Sequence, residues 1–138
     1  MSEVADPNQS AVHSLDLEAV VAAARRDNHW SEGEARRAEA RYRDYLFVVV
    51  QCVQHGKANV AAISRSADQV WHHHVLWTRK YREDCLRIFG PGRFLDHIPL
   101  YAEPRTPADL EATRARYREL GLTPPEDLDD DCVWGCVG

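Results

Sequence analysis

Apolar side chains recur at spacings of three and four along most of this chain, a period that predicts helices. The longest such run is Asp68–Phe89, which holds no Pro or Gly before Gly90-Pro91-Gly92 stops it. Read as one helix at about 100° per residue, it places Val70, Trp71, Val75, Trp77, Tyr81, Cys85, Leu86, Ile88 and Phe89 on one broad arc. Gln69, His73, Lys80, Glu83, Asp84 and Arg87 fill the opposite arc. The three consecutive histidines then separate. His73 points to water, His74 lies within the apolar arc in line with Thr78, Tyr81 and Cys85, and His72 lies at its margin, one turn after Asp68.

The same reading predicts three further helices. Ser14 can cap a helix near 15–28 with Leu17, Val20, Val21 and Ala24 inward. Ser31 and Glu34 have capping-box spacing at the head of a helix near 31–54, whose core positions are Ala38, Tyr42, Tyr45, Leu46, Val49 and Val53. The β-branched Val48–Val50 run reads as helix too, because the pattern before it is helical. Thr106-Pro107-Ala108-Asp109 starts a helix near 107–120 with Leu110, Thr113, Tyr117 and Leu120 inward, and Gly121 ends it. His55-Gly56-Lys57 reads as a turn, and Asn59–Ala67 as a short helix or an irregular lead into the next one, capped by Ser64 or Ser66. No alternating strand pattern competes. The expected fold is all-α: a compact bundle of about four helices over 14–121, a loose N-terminal tail over 1–13, and an irregular acidic, cysteine-containing C-terminal tail over 122–138.

The chain of 138 residues is long enough for one domain with a core. A net charge of −5 and a pI near 5.8 argue against nucleic acid or an anionic membrane as the main partner. The longest apolar run, near Leu46–Val50, falls far short of a membrane span. The polar, acidic N-terminus lacks the basic end and apolar middle of a signal peptide, so the expectation is a cytoplasmic protein whose four cysteines are reduced thiols.

Asp68, Val70, Trp71, His72, His74, Leu76, Thr78, Arg79, Tyr81, Asp84, Cys85, Phe89 and Gly90, followed by Phe94, Leu95, His97 and Pro99, compose a motif that resembles the glycine-rich-domain-like proteins of bacteria and plants. The Trp30–Leu46 stretch resembles the same family, and together the two cover about half of the chain. Pro91-Gly92 stand where that family runs on directly, and Asp96 stands where a second histidine is common. The resemblance implies a fold rather than an activity.

Imidazole and thiolate are the side chains that transition metals select. Asp68 and His72, at i and i+4, can act together, and His97 can join them from the loop. His74 is a weaker candidate ligand. On one helix it lies about 16 Å along the axis from Cys85, too far for a shared ion. Cys52 and Cys85 read as buried small apolar residues. Cys132 and Cys136 flank Val-Trp-Gly after an acidic stretch read as a solvated linker, and an accessible pair there can bind metal, form a disulfide or serve a tail-modifying enzyme. No Ser-His-Asp order, phosphate loop, paired catalytic carboxylates or zinc-protease motif is present. Three functions therefore stay open. One is a small helical protein holding zinc, copper or iron through Asp68, His72 and His97. Another is a protein-interaction module in which those residues are structural. The last is a folded carrier whose Cys132–Gly138 peptide is a modifying enzyme's substrate.

Overall fold

The computed structural model describes residues 6–56, 60–129 and 131–137. Lys57 and Asn59, Asp130, Gly138 and the first five residues, each part of a segment read above, lie outside the described residues. The element order is α1 (Pro7–His13), α2 (Glu18–Asn28), α3 (Glu32–Gln54), β1 (Val60–Ala62), α4 (Arg65–Leu76), α5 (Thr78–Phe89), β2 (Leu95–Ile98), α6 (Pro107–Glu119) and β3 (Trp134–Val137). No helix among the described residues is long and apolar enough to cross a membrane.

Local signals place most helix ends. The Ser31 hydroxyl accepts from the Glu34 N–H at 3.1 Å while the Ser31 N–H donates to the Glu34 carboxylate at 3.0 Å. Thr106 and Asp109 repeat that box at the head of α6, with Pro107 at the first helical position. Ser64 caps α4, and Gly121 takes the positive φ of 74° just beyond α6.

Four expectations need correction. The N-terminal tail holds a helix, α1, whose first amides are capped by Asp6, with Asn8 N–H at 2.8 Å. Arg43 on α3 then satisfies its end, donating to Val12 O at 2.9 Å and Leu15 O at 3.1 Å. The Asp68–Phe89 helix is two helices that meet at an elbow on Trp77, whose φ of −87° and ψ of 73° leave the helical region. No Pro or Gly marks that break. The fold is helix-dominated but not all-α, because β1, β3 and β2 form an antiparallel sheet in that spatial order. Finally, the C-terminal segment is not an irregular tail: β3 is the central strand, with Gly135 opposite Ala61 on one side and His97 on the other.

The sheet separates two apolar clusters. Ala61, Leu95 and Val137 face the main core, built from α1–α5 around Tyr42, Tyr45, Leu46, Val70, Trp71 and Tyr81. Ala62 and Trp134 face the other way, onto Leu110, Leu128 and Cys132, with Ile98 beside them. Gly135 is required where the layers touch: a methyl group on it would overlap the Tyr45 hydroxyl and approach the Trp71 ring to 3.1 Å.

Candidate functional site

Helix α4 carries the residues singled out by the sequence, and the elbow at Trp77 decides what they meet. The elbow folds α5 back on α4, so residues ten apart touch. His74 is buried, at 2% exposure. Its Nε2 lies 2.8 Å from the Asp84 carboxylate, and its Nδ1 lies 2.6 Å from the Tyr42 hydroxyl on α3. The Lys80 ammonium also reaches that Asp84 oxygen, at 3.1 Å. Two donors on one carboxylate oxygen assign the tautomer: His74 donates through Nε2–H and accepts from the Tyr42 O–H through Nδ1. Burial outweighs the Asp84 hydrogen bond and holds this imidazole below its ordinary pKa near 6.5, which keeps it neutral. Burial also raises the Tyr42 hydroxyl well above the usual phenol range. The chain Tyr42–His74–Asp84–Lys80 is thus a saturated network, and every ring nitrogen of His74 is used. Asp84, placed on the solvent arc by helical projection, is a core residue at 5% exposure.

A second bridge crosses the same elbow. The Trp71 indole N–H donates to the Tyr81 hydroxyl at 2.9 Å, and that hydroxyl donates to Leu95 O at 2.5 Å. It joins α4, α5 and β2 through one buried phenol. Beside it, His97 on β2 lies with its ring centroid 4.5 Å from that of Trp71 and its Nε2 3.0 Å from Asp68. Sheet register produces this contact, because pairing His97 with Gly135 puts His97 on the face that carries Trp71.

The structure therefore brings together Asp68 and His97. His72 is exposed, and its ring meets that of His73 with centroids 5.2 Å apart. His73 does not point to water as expected: its side chain is 15% exposed, with Nε2 2.8 Å from Asp27 on α2. Among the described residues no three His, Cys, Asp or Glu side chains are grouped in a way that can hold an ion.

The cysteines also depart from expectation. Cys132 is buried, at 3% exposure, rather than accessible. Its thiol donates to Asp127 O at 3.4 Å and accepts from the Asp129 N–H at 3.3 Å. Burial pushes its pKa up to about 11, with the Asp129 charge adding to the effect. Cys136 is half-buried on β3 and pairs in register with Asp96. Burial, then Asp96 and Glu103, raise its pKa. Burial raises Cys85 as well.

The acidic stretch is not a solvated linker. Asp127 accepts from the Ser66 N–H at 2.8 Å and its hydroxyl at 2.5 Å, and pairs with Arg41 at 3.3 Å. Although burial alone would raise it, these bonds hold the Asp127 carboxyl below the usual range. Asp129 pairs with Arg65. Sequence reading missed Asp84, Lys80 and Asp127 because their partners are set by the elbow and by the return of the C-terminal segment. Tyr42 was visible only as a core position.

No curated protein and no solved structure matches this chain. A family model does, over residues 11–123, a span that runs from α1 through α6 and stops short of β3. By that match, the chain belongs to the UCP032817-like family.

Proposed function

We propose that this protein is a helical protein-interaction module. One observation carries the reading: the candidate ligands Asp68, His74, His97 and Cys132 are each hydrogen-bonded within the fold, while large apolar side chains at the elbow stay exposed. Trp71, His74, Tyr81, Asp84, Leu95 and His97, all members of the motif that resembles glycine-rich-domain-like proteins, make the bonds that hold α4, α5 and β2 in place. On this reading the motif encodes a rigid elbow rather than a reaction centre. Leu76 is 62% exposed and Trp77 is 52% exposed at that elbow, and Leu86 is 52% exposed in the last turn of α5. Clustered exposed apolar side chains mark interaction surfaces more often than solvent-facing accidents.

The test is photo-crosslinking in the cells that make the protein. A crosslinking residue at Leu86 is expected to yield one defined adduct with a different protein, and one at exposed Ala22 on α2 is expected to yield none. Absence of any protein adduct from Leu76, Trp77, Leu86 and Tyr101 alike would end the reading.

A second reading keeps the transition metal (zinc, copper or iron). It is favoured by the Asp68–His97 contact, since a carboxylate that orients an imidazole is a common support for a metal ligand. His72 would have to leave His73 to complete the site. Stoichiometric metal in purified protein that is lost on His97→Ala would support it. The modified-tail reading finds less support, because Trp134–Val137 is paired on both sides.

A further inference from the structure

The solvent side of α5 is basic and apolar at once. Arg79, Arg82 and Leu86 stand at i, i+3 and i+7, so they share one stripe, with Glu83 within it and Arg87 beside it. All five are exposed. The helix carries four basic and two acidic residues in a chain whose net charge is −5. Of these, Lys80 is taken by the buried Asp84. Among the described residues Arg79, Arg82 and Arg87 have no acidic partner; arginines on other elements, such as Arg26 on α2 and Arg37 on α3, also lack one, but α5 carries three within nine residues. Three such guanidinium groups thus share one side of α5 with a half-exposed leucine.

We infer that this face docks an acidic amphipathic helix of a partner protein, which deepens the interaction reading and rests on it. The planar fork of arginine holds carboxylates bidentately, so three guanidinium groups in a row along one helix offer matched sites to acids spaced along another. Leu86 calls for an apolar contact between the partner's acids, since phosphate backbones offer none. The length of α5, about 18 Å at ~1.5 Å per residue, suits roughly three turns of a partner helix laid along it. Long-range charge selects against the other anionic occupants. A membrane sheet or a nucleic-acid duplex extends over the whole acidic molecule and is repelled by it. A short helix samples only the charges within about one Debye length, ~8 Å at physiological salt.

The probe is a synthetic three-turn amphipathic peptide with leucines on one face and glutamates on both flanks, titrated against the full chain. Micromolar binding that weakens as salt rises is expected. The double variant Arg79→Glu/Arg82→Glu should lose about tenfold or more in affinity, as should Leu86→Ser, whereas Arg26→Glu on α2 should bind like the parent. All four substitutions fall on exposed positions, and circular dichroism checks that the helices remain. Equal binding of the peptide with lysine in place of glutamate would overturn the inference. So would preferential binding of phosphatidylserine vesicles or a short DNA duplex, or self-association through this face in sedimentation. A protein crosslinked at Tyr101 or Leu76, with no peptide binding at α5, would overturn this inference and leave the interaction reading standing.

Discussion

His74 and Asp84 are ten residues apart in the chain and 2.8 Å apart in space. On one straight helix that separation would be about 15 Å along the axis. The pair therefore reports the elbow at Trp77 directly, and removing it should loosen α5 from α4. Asp84→Ala leaves a buried imidazole N–H and the Lys80 ammonium without their acceptor, so a loss of about 3 kcal/mol in chemical denaturation is expected. Glu83→Ala, one residue away on the exposed stripe, should change stability by less than about 0.5 kcal/mol. Equal effects would contradict the elbow.

The same histidine gives the stability a pH dependence. Its folded-state pKa is depressed by burial below the ordinary value near 6.5. The unfolded chain therefore binds the extra proton first as pH falls. The contribution is fully present above about pH 6.5 and is lost progressively below it, down to the folded pKa. Thermal melting should thus fall between neutral and mildly acidic pH. His74→Gln should flatten that slope while lowering stability at neutral pH, and a slope unchanged in that variant would assign the effect to other groups.

Gly135→Ala should destabilise the protein although alanine has the lower conformational entropy when unfolded. The added methyl group meets Tyr45, Leu95 and Trp71 inside the core, and such overpacking costs about 1–3 kcal/mol. The loss should be recovered in part by Tyr45→Phe, which removes the nearest atom, although it also frees Ala61 O, which the tyrosine now satisfies at 2.9 Å. A Gly135→Ala protein as stable as the parent would show that the strand sits further from α3 and α4.

His97→Ala tests the two readings of the Asp68–His97 contact against each other. Both side chains are partly exposed, at 34% and 25%, so the ion pair itself contributes little. Most of the loss, about 1 kcal/mol, should come from the ring contact with Trp71. Denaturation midpoints that stay the same with and without a chelator, in parent and variant alike, are the outcome expected of a structural contact.

Thiol labelling of the folded protein should begin at Cys136, the half-buried cysteine on β3. Cys132, buried and with its pKa near 11, should react far more slowly at neutral pH and only on opening. Quantitative mass mapping of partly labelled protein gives the order. Cys132 reacting alongside Cys136 would mean that the C-terminal strand leaves the sheet readily.

By itself the amino-acid sequence determined the helices α3 and α6 with their starts, because capping boxes and apolar periodicity act within one or two turns. It also showed α2, but not its start, since Ser14 ends α1 rather than capping α2, which begins at Glu18 without a side-chain cap. Ser31 and Glu34 satisfy each other three residues apart, as do Thr106 and Asp109. Tertiary structure decided the elbow, the sheet and the destination of the tail. The break at Trp77 has no local marker, and it exists because folding α5 back lets Asp84 reach His74 and Tyr81 reach Trp71. The strands are three or four residues long, too short for alternation to show, and β3 bonds to segments distant in the chain. Of the candidate residues, Asp68 and His97 were legible as partners. His72 was not separable from them, because its orientation depends on a neighbouring ring, and Cys132 was read as exposed because acidic neighbours usually mean solvent. Here those acids are bound by Ser66, Arg41 and Arg65, residues that only the closed fold places beside them.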